Sequence, residues 1–77
     1  MIPAEITKLL RLLSPTELRI LALLARGLSS NQIAERTHTS VATVKKHREN
    51  LRTKLSLTGG GHDALLVYAL THREALN

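Results

Sequence analysis

Cysteine, tryptophan and phenylalanine are all absent from this chain of 77 residues, and Tyr68 is its one aromatic residue. Without cysteine there is no disulfide framework and no thiolate metal site. Without aromatic platforms, single-stranded nucleic acid, whose bases stack on rings, is a poor ligand. No apolar run approaches the roughly 20 residues that span a bilayer. The opening Met1-Ile2-Pro3-Ala4-Glu5 lacks the basic start and apolar stretch of a secretory signal. The expectation is a cytoplasmic protein with no membrane partner. Strict alternation of polar and apolar residues is also missing, which removes the signature of half-buried strands and leaves an all-α fold. The length allows one domain. A chain of this size buries only about 60% of the surface it exposes when unfolded, so the core must be compact.

Acidic residues are scarce. Six Asp and Glu face eleven Lys and Arg, for a net charge of +5. A basic domain favours anionic partners. Five of the cations, Lys45, Lys46, Arg48, Arg52 and Lys54, fall within one ten-residue stretch that only Glu49 opposes. Catalysis and metal binding find no support. No two histidines stand at i,i+4 spacing, and Ser, His and Asp occur without a nucleophile-elbow or triad context, so the chain reads as neither an enzyme nor a cofactor protein.

Helix signals divide the chain. Ile2, Ile6, Leu9, Leu10 and Leu13 recur at helical spacing over Pro3 to Leu13, and Pro15 disfavours helix at Ser14. This N-terminal segment, residues 1–13, is either a linker remnant or a cover over the core. Residues 14–77 form the domain proper. Ser14-Pro15-Thr16-Glu17 is a capping box, followed by a stripe of Leu18, Leu21, Leu24 and Ala25, with Gly27 as the stop. Ser29-Ser30-Asn31-Gln32 is a second box, opening a short helix that ends near Arg36 or Thr37. Thr37-His38-Thr39 makes a turn, and Ser40 caps a helix over Val41 to about Leu55. Ser56 to Gly61 is a loop containing Gly59-Gly60-Gly61. A last helix runs from His62 or Asp63 to His72.

A short helix, a tight turn and a longer basic helix make a helix-turn-helix, here over about residues 30–49, with residues 41–55 as the element that enters the major groove. With Val44 at the centre of its buried stripe, Leu51 and Leu55 follow at i+7 and i+11. The opposite face carries Ala42, Lys45, Lys46, Glu49 and Thr53. Thr43, Asn50 and Lys54 lie on one flank and Arg52 on the other. Long cations reach guanine or phosphate, asparagine reads adenine, and glutamate accepts from cytosine. Glu49 is therefore either a specificity residue or a partner for Lys45 or Arg52. Free backbone amides near Ser30 and Asn31, at the capped start of the preceding helix, offer a second phosphate site. The ligand these features point to is double-stranded DNA.

Three blocks in order, Leu13 to Leu18, Gly27 to Ala34 and Thr43 to Leu55, resemble the LuxR-type helix-turn-helix domain, the output domain of many NarL/FixJ-like response regulators of two-component systems. The resemblance covers roughly Leu13 to Leu70. It implies a four-helix domain, here with an additional N-terminal helical segment. It implies base contacts from Lys45, Lys46 and Glu49, and phosphate contacts from Thr43, Asn50, Lys54 and the start of the preceding helix. It also implies a DNA-binding transcription regulator that commonly pairs through its last helix. The chain departs from the family at Thr37 and Thr39, where apolar residues are usual, and at Ser56, where a capping glycine is usual. The loop Thr58 to His62 is about two residues longer.

Several residues keep two readings. Arg48 either turns inward to pair with Glu17 or reaches phosphate. His47 either packs at the helix interface or contacts phosphate. The last helix is apolar on every side. Leu66, Val67 and Leu70 thus either join two copies in a homodimer or leave Val67 exposed without consequence. The runner-up to DNA binding is a protein-interaction module that docks on RNA polymerase or another regulator.

Overall fold

The computed structural model describes residue 8 and residues 10–57 and 64–76. Among these, five helices follow one another: α1 Pro15–Ala25, α2 Ser30–Thr37, α3 Val41–Lys54, α4 Ala64–Thr71 and α5 Arg73–Leu76. The described part is all α, as expected. Most of the predicted N-terminal helix, the glycine triplet and the predicted start at His62 or Asp63 lie outside the described residues.

The helix starts follow from side-chain chemistry. In α1 the Ser14 hydroxyl accepts from the Glu17 amide at 3.1 Å, and the Glu17 carboxylate accepts from the Ser14 amide at 2.9 Å. In α2 the Ser29–Gln32 pair repeats both bonds at 3.2 and 2.8 Å. In α3 the Ser40 hydroxyl accepts from the Thr43 amide at 3.1 Å, and no acid sits in the first turn.

The helix ends share one geometry. After α1 the Gly27 amide donates to Leu24 O and the Leu28 amide to Leu23 O. This closure places Gly27 at φ 85°. The same pair of bonds closes α2, from His38 to Glu35 O and Thr39 to Ala34 O, with His38 at φ 54°. It closes α3 as well, from Ser56 to Thr53 O and Leu57 to Arg52 O, with Ser56 at φ 57°. A side chain in this left-handed region is strained where glycine is not.

Helix α1 is central and packs against all four other helices. That explains a departure from the predicted stripe. Ile20 and Leu23 are buried as well as Leu21, Leu24 and Ala25, because α1 is covered on two sides, whereas Leu18 is only half-buried. Leu13 is buried and Leu10 half-buried against the same core, so the end of the N-terminal segment packs on the domain. The last predicted helix ends at Thr71, one residue before His72, and a further single turn, α5, brings Leu76 back onto the core.

Candidate nucleic-acid interface

The rotation of α3 decides what it presents. Val44 and Leu51 are fully buried and Leu55 is 5% exposed. Each such side chain contributes about 1.5–3 kcal/mol by leaving water. Turning α3 by one residue would expose this stripe and bury cations, at a cost of several kcal/mol. The opposite side of α3 therefore stays outward, and Ala42, Thr43, Lys45, Lys46, Glu49, Asn50, Thr53 and Lys54 are all exposed.

The start of α2 lies beside this face. Arg48 Nη1 donates to Ser30 Oγ at 2.7 Å, which ties the middle of α3 to the first turn of α2. Ser30, Lys45, Arg48, Glu49 and Arg52 line one shallow cleft of about 240 Å³. The Ser29–Gln32 box uses the amides of Ser29 and Gln32. The Ser30 and Asn31 amides fall among the first-turn donors that a helix cannot satisfy internally. They point out of the positive end of the helix dipole, which favours an anion. Glu49 is 3.8 Å from Arg52 Nη1, and both side chains reach solvent. This spacing matches the pairing reading for Glu49, although an exposed pair of this length contributes little to stability.

The expected inward pair comes from a different cation. The Glu17 carboxylate, 3% exposed, accepts from Lys54 Nζ at 2.7 Å, while Arg48 reaches Ser30 instead. Burial alone would raise the Glu17 carboxyl. Hydrogen bonds from Lys54 and the Ser14 amide, with the Lys54 charge, outweigh it and hold the group below its usual value near 4.5. The pair fixes the last turn of α3 to the first turn of α1 and draws Lys54 toward the core side. Sequence reasoning assigned Lys54 to phosphate. The clue to its second role was Glu17 itself, a capping acid next to an apolar stripe.

His47 is half-buried with its Nδ1 enclosed, and hence sits at the helix interface rather than on the open face. Thr37 Oγ1 donates to Ile33 O at 2.8 Å, which satisfies the hydroxyl that stands in place of an apolar residue. On α4, Val67 is 60% and Leu70 39% exposed, and Leu66 is half-buried. Leu66, Val67 and Leu70 lie on a different helix from the cations. No group of three or more metal-ligating side chains occurs among the described residues, and no helix among them is long and apolar enough to cross a membrane.

A short capped helix, a tight turn and a second helix that turns a basic face to solvent define a helix-turn-helix DNA-binding domain. Comparison with known proteins gives its family. The sequence profile described as bacterial regulatory proteins, luxR family, matches residues 11–62. The chain belongs to that family. It is also 40% identical over 67 residues to the oxygen regulatory protein NreC of Staphylococcus aureus, in strains JH9, JH1 and USA300 among others. The match covers 87% of this chain and 30% of the relative, so the chain spans less than a third of the length of these curated proteins. No solved structure matches.

Proposed function

We propose that the chain binds a specific double-stranded DNA half-site as the output domain of a transcription regulator of the response-regulator type. In this reading Lys45, Lys46 and Glu49 meet base edges in the major groove. Thr43, Asn50 and Arg52, with Ser30 and Asn31 at the start of α2, hold the phosphates. Lys54, already paired with Glu17, is the weakest of the phosphate contacts. Two copies join through Leu66, Val67 and Leu70, which sets two α3 helices about one DNA turn apart. The domain acts by binding in the cytoplasm and carries out no catalysis.

The observation that carries this reading is the locked rotation of α3. Its apolar stripe is buried, and its cations share an open face with the free amides of α2. Neutralised phosphates release counterions, so affinity should fall steeply with salt. Anisotropy titration of labelled duplexes, after selection from a random pool, tests this. Tight binding at low salt, a steep salt slope and a shared half-site are expected. No binding to any duplex at low salt would reject the proposal. Lys46→Ala should weaken the selected site by about 1–3 kcal/mol and relax its sequence preference.

A further inference from the structure

The recognition helix leaves a second basic surface unexplained. Arg19 and Ala22 on α1 and Arg26, its C-cap, recur at i, i+3 and i+7, and all three reach solvent. At about 100° per residue they lie roughly half a turn around the axis from Glu17. Glu17 points at Lys54 of α3, so this face points away from the recognition helix. Arg36, from the last turn of α2, joins it, and Arg19 Nη2 donates to Arg36 O at 3.5 Å. Leu76 of α5 closes the far side. Arg19, Ala22, Leu23, Arg26, Arg36 and Leu76 together line an open cleft of about 380 Å³.

We propose that this cleft is a docking surface for an acidic, amphipathic segment of a partner protein. Among the described residues, none of the three arginines has a carboxylate within ion-pair distance, in contrast to Arg52 and Lys54 on α3. Three guanidinium groups around one cleft, with no acid among its lining residues, form a site for carboxylates, which guanidinium groups bind in bidentate fashion. The lining between them is apolar. Leu23 is 7% exposed, Leu76 is half-buried, and Ala22 adds no bulk. Arginine around a small apolar centre is the composition of protein interfaces. The cleft shares no lining residue with the α3 cleft of Ser30, Lys45, Arg48, Glu49 and Arg52, so a duplex on α3 and a peptide here can be held at once.

The test uses the 77-residue chain and a fluorescein-labelled peptide of Glu and Leu patterned as an amphipathic helix. A control peptide has every Leu replaced by Ser. Expected results are a saturable rise in anisotropy with the Glu/Leu peptide and binding weaker by about tenfold for the control. The combined variant Arg19→Gln, Arg26→Gln, Arg36→Gln should lose about tenfold or more of the peptide affinity. Because these side chains are exposed, that variant should melt at the parent temperature and bind duplex as the parent does. Domain saturated with duplex should take the peptide with unchanged affinity. Four results would each overturn the proposal: no peptide binding, equal binding of the Ser control, displacement of the peptide by duplex, or loss of duplex affinity in the arginine variant. The last would make the cleft a second DNA surface.

Discussion

The capping boxes of α1 and α2 are the same device with different residues at the third position. In α1 the residue is Glu17, and its carboxylate is buried and held by Lys54. In α2 it is Gln32, and its amide is exposed. The helix dipole alone would favour an acid at both places. What differs is the surroundings. The start of α1 faces a lysine from α3 across the core edge, where a charge completes a pair. The start of α2 opens beside the cations of α3, on the surface proposed to meet DNA, where a carboxylate would compete with phosphate. A neutral cap satisfies the same amide without occupying the positive end.

The comparison breaks most visibly at Glu17. Glu17→Ala keeps the Ser14 cap but removes the acceptor of the Ser14 amide and the partner of Lys54, and should cost about 1–2 kcal/mol. For a domain this small each kcal/mol lowers Tm by about 4–8 °C, so a thermal melt reads the loss directly. The same pair sets an acid limit. The Glu17 carboxyl is held below its unfolded value, so its contribution is complete above pH about 4.5 and is lost as pH falls through the lowered folded value. Stability measured from pH 6 downward should drop more steeply in the parent than in Glu17→Gln, where no proton is taken up.

At Gln32 the substitution should separate stability from binding. Gln32→Glu keeps the box and adds charge at the positive helix end, for a gain of about 0.3–1 kcal/mol in unfolding experiments. The same charge should weaken duplex binding several-fold at low salt, by an energy on the order of 1 kcal/mol. Equal duplex affinity in both proteins would remove the start of α2 from the interface. The smallest effect concerns the helix ends, where Gly27, His38 and Ser56 share one left-handed geometry. Ser56→Gly relieves the strain of a side chain there and should raise stability by about 0.5–1 kcal/mol, net of the entropy glycine adds to the unfolded chain.

The starts of α1, α2 and α3 were legible to the residue, because Ser14, Ser29 and Ser40 act on amides only three positions away. The stripe of Val44, Leu51 and Leu55 was equally plain, since one side of α3 meets the core and the other meets water. Contacts set by how helices cross were not legible. The sequence pointed to Arg48 as the partner of Glu17, and only the placement of α1 against α3 selects Lys54. The burial of Ile20 and Leu23 depends on a second layer, α4 and α5, that no local pattern in α1 announces. The cleft between Arg19, Arg26 and Arg36 was hidden for the same reason, as it needs α2 and α5 to come together over α1.

The scarcity of aromatic residues has an optical consequence. Tyr68 lies in α4 with its hydroxyl enclosed and its ring centroid 4.5 Å from that of His72. Enclosure raises its phenol above the usual value of 10.0, so the ring stays un-ionised well into alkali while the domain is folded. With no tryptophan to mask it, ultraviolet emission from the whole chain comes from this single ring. The protein therefore carries its own spectroscopic probe on α4, the helix proposed for self-association, and no dye need be attached to watch α4 dock or come loose.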